Sequence, residues 1–403
     1  MSSSRNSSLA LVLATVAFAV CFFAWSLFGP LGPDLQDHLG ISDLQLSAMV
    51  AVPVLLGSLM RVPLGILTER HGGRRVFSAL LLFTPLPLVA LALWHDSYAG
   101  MLLFGFLLGF AGASFAVGVP FVNRWYPPAR QGMALGVYGM GMVGSVVAGF
   151  TGPKIVKAWG LSAPFWIAAA VVTAMAIVFI VLARDASAPP AVRTPMLASL
   201  RVFRSSGRAW ALTLFYFLAF GGFVAMFLYL PKLLTGVHGL SKPDAGARAA
   251  GFALLVVLAR PAGGLLSDRI GAARVLRWSF IGTGVLAVGL AAGYRNMAAL
   301  TICCLAMAVF LGLGTGGVFK LVPQWFPSQV GAVTGVVGAA GGLGGFFPPL
   351  VMGIVKSATG GYTLGFILLG CVAAACLGVL IGIERPRRRG AEADHALPAS
   401  SAA

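Results

Sequence analysis

The chain alternates long apolar runs with short polar breaks along nearly its whole length. Twelve apolar runs can be marked, at roughly 8–30, 44–67, 76–94, 99–123, 131–153, 163–183, 209–231, 247–267, 275–293, 297–322, 331–355 and 362–383. Most approach the ~20 residues of helix that cross about 30 Å of hydrocarbon. Backbone polar groups must pair internally in lipid, so runs of this kind are helices. The two-residue alternation of a membrane β-barrel is absent. The first run, Leu9 to Gly29, could be taken for a signal peptide, but its length and the eleven runs behind it mark a retained helix. The predicted fold is therefore an all-α membrane protein with twelve transmembrane helices.

The polar breaks divide this pattern in two. The longest, 184–208, carries Arg184, Arg193, Arg201, Arg204 and Arg208 with Pro189, Pro190 and Pro195. It separates an N-terminal six-helix bundle, 1–183, from a C-terminal one, 209–384. The tail 385–403 opens with Arg385, Arg387, Arg388 and Arg389, continues in Ala, Ser and Pro, and reads as disordered.

Composition agrees with the pattern. Hydrophobic residues make up 59% and charged residues 10%, where a soluble chain carries about 25% charge. The net charge of +17 reports orientation, not nucleic-acid binding, because the basic residues sit in short loops with no aromatic-interleaved basic domain. Of 28 Lys and Arg, Arg61, Arg260 and Lys320 fall within spans. Seven lie in loops of one side (Lys154, Lys157, Lys232, Lys242, Arg248, Arg295, Lys356), and the remaining 18 share the side of the termini and connector. The positive-inside rule makes that side cytoplasmic, which implies a multi-pass protein of the cell (inner) membrane with both termini cytoplasmic. The five cysteines (21, 303, 304, 371, 376) lie in apolar spans without CxxC or Cys/His spacing, so no metal and no disulfide framework is expected.

The two bundles repeat one another. Arg61-Val-Pro-Leu-Gly65-Ile-Leu-Thr-Glu69-Arg70-His-Gly72-Gly-Arg-Arg75 aligns at an offset of 199 with Arg260-Pro-Ala-Gly-Gly264-Leu-Leu-Ser-Asp268-Arg269-Ile-Gly271-Ala-Ala-Arg274. Trp125-Tyr126-Pro127 likewise matches Trp325-Phe326-Pro327. The matches follow spans 2 and 4 of each half. The halves thus share one topology and are related by a pseudo-two-fold axis along the membrane normal.

Gly-x-x-x-Asp/Glu-Arg-x-Gly-x-x-Arg after spans 2 and 8 resembles the loop signature of the major facilitator superfamily, whose fold sets two six-helix bundles around a central cavity. More narrowly, the chain is similar to the nitrate/nitrite porter family. The stretches that carry this are Leu59-Met60-Arg61-Val62-Pro63, Gly109-Phe-Ala-Gly-Ala-Ser-Phe115-Ala, the Gly132–Gly144 run, Gly314-Thr-Gly-Gly-Val-Phe-Lys320-Leu-Val-Pro323 and Gly341-Gly-Leu-Gly-Gly345. Family members usually carry asparagines in the glycine-rich segments of spans 5 and 10 or 11. This chain has Met142 and Thr315 there, which weakens nitrate specificity while leaving small-anion transport intact.

The residues themselves point to an anion. Arg61 stands eight residues from Glu69, about 12 Å of helix, and half the hydrocarbon is ~15 Å thick. Arg260 repeats this before Asp268. A charge so deep costs roughly 2.5–3.5 kcal/mol on insertion scales, and no acidic residue inside a span is evident to neutralise it. Carbonyls and water in the helix packing could satisfy each guanidinium. An anion is the better partner for two arginines held at one register, since planar donors match a planar oxyanion. Empty, two such charges ~8 Å apart repel by about 2 kcal/mol at an effective dielectric of 20, which opposes closure until an anion arrives.

The family pattern adds Phe115 in span 4 and Tyr216 and Phe220 in span 7 near the anion, although most of the 28 phenylalanines must face lipid or core. Thr315 and Lys320 are candidates for the anion path, and Lys320 is equally placed to snorkel to the interface. Glu69, Arg70, Asp268 and Arg269 are expected to latch helix ends during gating. The glycines of spans 5 and 11 fit close helix approach.

The expected function is secondary active transport of a small inorganic oxyanion, nitrate or nitrite first, by alternating access with proton symport or nitrate/nitrite exchange. Another small anion, such as a carboxylate or cyanate, fits the arginines equally and suits Met142 and Thr315 better. A non-transporting nutrient sensor is a weaker alternative. No span groups the side chains of an enzyme's active site. The partners expected are the anion and the bilayer, with no nucleic acid and no cofactor, and the chain is expected to be a monomer.

Overall fold

The structure is a computed structural model that describes residues 2–186 and 201–395. Twelve helical elements cross the bundle: α1 (Asn6–Gly32), α2 (Ala48–His71), α3 (Gly73–Leu93), α4 (Tyr98–Asn123), α5 (Pro128–Trp159), α6 (Ala163–Leu182), α7 (Gly207–His238), α8 (Asp244–Ile270), α9 (Ala272–Gly293), α10 (Met297–Trp325), α11 (Val330–Thr359) and α12 (Thr363–Glu384). Eleven are long and apolar enough to cross a membrane over their described residues. α11 reaches 30 residues, of which Val330–Gly344 is described as an apolar stretch. The order follows the apolar runs, and no strand occurs among the described residues.

Much of the expected connector, 187–200, lies outside the described residues, as does 396–403 of the expected tail. The last helix continues past Glu384 to His395. Residues 385–395 of the expected tail lie in this helix.

The repeat extends from sequence into backbone. The glycines with positive φ fall in pairs at the same offsets: Gly40 and Gly239, Gly72 and Gly271, Gly160 and Gly360. Each pair ends equivalent helices with a left-handed or related conformation that glycine adopts without steric cost. Ser42 and Ser241, also 199 apart, each accept a backbone N–H at the N-terminus of the following helix. Asp185, just past α6, accepts from the backbone N–H of Arg74 in α3 at 2.9 Å. Its counterpart Glu384 pairs with Arg277 of α9. Both halves thus pin their sixth helix to their third by an acid at one position.

The surface is apolar where lipid would lie. Val181, Val285 and Ile302 are each at least 66% exposed. The buried polar set, including Ser58, Arg61, Arg260, Thr315 and Lys320, lies inward. This inversion is what a membrane solvent requires: apolar side chains face hydrocarbon and polar ones face a partner.

The halves meet through glycines. Gly65 of α2 lies against the backbone of Gly331 in α11, and Gly264 of α8 against that of Gly132 in α5. One turn on, a Cβ at Gly335 would stand 2.7 Å from the Arg61 carbonyl, and one at Gly136 2.8 Å from that of Arg260. Past the arginines the same helices turn to their own half. Gly144 of α5 meets α1, and Gly344 of α11 meets α7. The seam between halves therefore runs from the end bearing the Glu69 and Asp268 loops, here called the basic rim, up to the level of the two arginines.

This packing makes a prediction. Gly65→Val and Gly264→Val should each cut transport in proteoliposomes at least tenfold, because the added methyls meet backbone that cannot yield. Gly251→Ala, where nothing lies within 4 Å of the added Cβ, should transport as wild type; wild-type flux in both valine variants would disprove a close-packed seam.

Candidate functional site

Arg61 is 2% exposed and reaches across the seam. Its Nη1 donates to the carbonyl of Gly338 in α11, and its Nε to that of Gly112 in α4 at 3.3 Å. α4 is broken at this point: the N–H of Ala116 bonds to Ala113, 3.0 Å away, instead of continuing the ladder back to Gly112. The break leaves the Gly112 carbonyl for the arginine.

Arg260 makes the equivalent reach with different chemistry. It is 1% exposed, and Nη1 contacts the sulfur of Met142 in α5. Its guanidinium carbon stands 5.5 Å from the centroid of the Phe115 ring. Nε lies against Gly139, the counterpart of Gly338, and finds no hydrogen-bond acceptor among the described residues. A thioether is a weak acceptor, so Arg260 is left with far less compensation than Arg61. Arg61 lies close enough to Tyr216 and to Arg260 to interact electrostatically with both.

The aromatics gather between the arginines. The rings of Phe115 and Tyr216, one from each half, are parallel within 6° with centroids 6.5 Å apart. Tyr216 stacks on Phe220 at 5.3 Å. A π-helical turn spans Phe217–Gly221, directly after Tyr216 and including Phe220. Such turns recur at functional sites. Phe319 of α10 stands edge-on to both walls, 4.6 Å from Phe115 and 4.7 Å from Tyr216. Tyr138 backs Phe115 at 5.6 Å, its hydroxyl donating to the Ser114 carbonyl.

The structure brings Arg61, Arg260, Phe115, Tyr216 and Phe220 into one cluster. Phe319, Tyr138, Gly112 and Gly338, none of them expected from the sequence, join the cluster. Phe319 was signalled by its place beside Lys320 in a glycine-rich stretch; the carbonyls have no side-chain signal. Thr315 is fully buried and donates its hydroxyl to Gly312 of its own helix at 2.7 Å.

Lys320 is placed differently from either expectation. It neither snorkels nor faces the ring cluster: it is 3% exposed, ion-paired to Asp268 at 2.5 Å, and also donates to the Pro128 carbonyl. An acid at a span end thus neutralises this lysine, while no ion pair to Arg61 or Arg260 occurs among the described residues. The reason is spatial. α8 and α10 pack side by side and bring together residues 52 positions apart.

Glu69 and Asp268 form a matched pair at the basic rim. Asp268 accepts from the backbone N–H groups of Gly132 and Met133, at 3.0 and 2.7 Å, at the start of α5. Glu69 accepts from that of Gly331 at 2.6 Å, at the start of α11. Each carboxylate satisfies unpaired N–H groups at a helix N-terminus of the other half, where the helix dipole favours negative charge. Arg70 and Arg269 are exposed at the rim.

Comparison with known proteins decides what this architecture is. The sequence matches the Major Facilitator Superfamily over residues 14–251 and 234–402. It is 43% identical to a probable nitrate/nitrite transporter, NarK2, of Mycobacterium tuberculosis, covering 95% of this chain and 98% of that one. The chain belongs to the major facilitator superfamily, in its nitrate/nitrite porter family. A nitrite extrusion protein of Bacillus subtilis is 37% identical over 94% of each chain. A probable nitrate/nitrite antiporter, NarK1, of Thermus thermophilus is 37% identical over 90% of this chain and 88% of that one. The fold matches the human organic anion transporter MFSD10 with a TM-score of 0.80 at 16% identity, covering 93% and 99% of the chains. It matches the transporter FucP in its outward conformation with a TM-score of 0.73 at 17% identity, covering 92% and 98%. A member of this superfamily is a transporter and not an enzyme.

The buried ion pair yields a test of the rim. Removing one partner of a buried pair costs about 3–5 kcal/mol, so Lys320→Met should melt several degrees below wild type in detergent. Lys320→Met combined with Asp268→Asn should recover much of that loss. A K320M melting curve that overlays wild type would contradict a buried, structural role for the pair.

Proposed function

We propose that this porter carries a small planar oxyanion, nitrate or nitrite, across the cell membrane by alternating access. The observation that carries the reading is the slot between Phe115 and Tyr216. The two ring faces are parallel with centroids 6.5 Å apart, and the Phe319 edge stands 4.6 and 4.7 Å from them, so that edge has to swing aside for one flat layer to lie between the faces. Arg260 lies over one wall, and Arg61 lies within electrostatic reach of the other. A flat anion there receives donors at its edge and ring faces above and below. Relatives named for nitrate and nitrite transport support these anions as the cargo.

Alternating access follows from the seam. In this closed arrangement the acids at the rim cap helices of the opposite half and the glycine contacts exclude water below the arginines. Opening toward the rim has to release both acids together, and an anion shared by Arg61 and Arg260 lowers the repulsion that resists reclosure. The basic rim, with the termini, is assigned to the cytoplasm by the distribution of Lys and Arg. The protein functions as a monomer, since each half supplies one arginine and the two halves complete the site within one chain.

Exchange of nitrate for nitrite is favoured over proton symport. The carboxylates at the seam, Glu69 and Asp268, are held at the rim by backbone N–H groups, away from the ring slot. Met142 against Arg260 widens the range of accepted anions, because a thioether offers no donor to a particular oxygen pattern.

In proteoliposomes loaded with nitrite, external nitrate uptake should be rapid and insensitive to an imposed pH gradient, with formate and chloride slower. Arg61→Lys and Arg260→Lys should each lower flux at least tenfold, and Met142→Asn should raise the nitrate-to-formate ratio. Uptake that needs a proton gradient and not internal nitrite would replace exchange with symport. Formate or chloride carried faster than nitrate would overturn the cargo.

A further inference from the structure

At the end of the bundle opposite the basic rim, two segments of the N-terminal half bring His38, His95 and Asp96 together. His38 lies in the last turn of the short helix Phe28–Leu39, which Gly40 ends in the left-handed conformation. His95 and Asp96 form the turn between α3 and α4. Their ligand atoms all lie within 4.8 Å of one another.

Hydrogen bonding sets the state of one ring. His95 Nδ1 lies 2.8 Å from the Ala92 carbonyl. A carbonyl can only accept, so Nδ1 carries the proton and a neutral ring presents a lone pair at Nε2. That lone pair stands 3.6 Å from Asp96 Oδ1. His38 Nε2 lies 2.6 Å from the same oxygen. The bare Nε2 of a neutral ring and the carboxylate oxygen repel unless a cation, either a proton on the ring or a metal ion, lies between them. The arrangement matches metal-ligating histidines, whose second nitrogen donates to a backbone carbonyl and fixes the tautomer.

We propose that His38, His95 and Asp96 bind one divalent transition-metal ion of the zinc class. The donor set, two imidazole nitrogens and one carboxylate oxygen, suits zinc, cobalt or nickel and not the all-oxygen preferences of calcium or magnesium. Tetrahedral ligands at 2.0–2.1 Å from zinc stand about 3.3 Å apart. The two separations from Asp96, 2.6 and 3.6 Å, bracket that value and the two histidine ligand atoms lie within 4.8 Å of each other, so rotations of exposed side chains bring the three to one ion. Asp96 is 72% exposed, which leaves the fourth position open to water. Bound metal clips the segment after α1 to the α3–α4 turn and stiffens that rim of the N-terminal half. The site escaped the sequence reading because its ligands come from segments 57 residues apart, with no short ligand spacing.

The test uses the full-length transporter in detergent, stripped of any histidine tag and of bound metal. Calorimetric titration with zinc chloride should show one ion per chain. Cobalt should give the visible absorption of a four- or five-coordinate nitrogen–oxygen site, erased by zinc. His38→Ala, His95→Ala and Asp96→Asn should each weaken zinc binding at least tenfold, while His71→Ala, an exposed histidine at the opposite rim, leaves it unchanged. Because these ligands lie at the surface, size-exclusion profiles of the variants should match wild type. Absence of saturable zinc binding to the wild type, or the same affinity in the His38→Ala and His95→Ala double variant, overturns the site.

Discussion

Two buried guanidinium charges, one from each half and neither ion-paired to a carboxylate among the described residues, set the terms for this structure. A charge at that depth is tolerated only with partners, and the partners here lie across the seam. Arg61 takes a carbonyl of α11, and Arg260 a sulfur of α5. The helices that must approach and separate are therefore the ones that solvate the arginines. Small residues at 132, 136 and 139, and at 331, 335 and 338, let backbones come close enough for this. Position along the seam, charge solvation and mobility become one problem.

The pseudo-symmetry is nearly complete in backbone and deliberately incomplete in chemistry. Glycine turns, serine caps, rim acids and both arginines fall at an offset of 199 or 200. The environments of the arginines diverge: one is met by two carbonyls, the other by a thioether and a ring face. An anion entering the slot gains more from Arg260, whose donors are less satisfied, while Arg61, already met by two carbonyls, gives up more of its own solvation to share. The rim diverges too. Asp268 has Lys320 as a buried counter-charge, and Glu69 instead has Arg124 near it. The two ends of the seam need not release with equal ease.

Much of this was legible in the sequence for a physical reason: the costly features repeat. Arg61, Arg260, Glu69 and Asp268 stand out because a charge near a span is expensive and a constant offset finds it twice. The spans themselves follow from length and hydropathy alone. Phe115, Tyr216 and Phe220 came from family resemblance, since a ring among 28 phenylalanines carries no cost that marks it. What stayed hidden depends on packing between distant segments. Lys320 met Asp268 through the contact of α8 with α10, the Gly112 carbonyl was freed by a break in α4, and His38 met the α3–α4 turn. None of these leaves a local pattern, because backbone acceptors are the same at every residue and ligand spacing is informative only within a segment.

The central claim is that both arginines hold one anion in the ring slot, and anion-dependent thermal stabilisation tests it without requiring turnover. Purified wild-type protein in detergent should show a saturable rise in melting temperature with sodium nitrate, beyond that caused by sodium gluconate at equal ionic strength. Arg61→Lys and Arg260→Lys should fold yet lose that rise, Arg260→Lys the more completely. A nitrate-dependent shift that survives unchanged in either variant would contradict a site shared by the two halves.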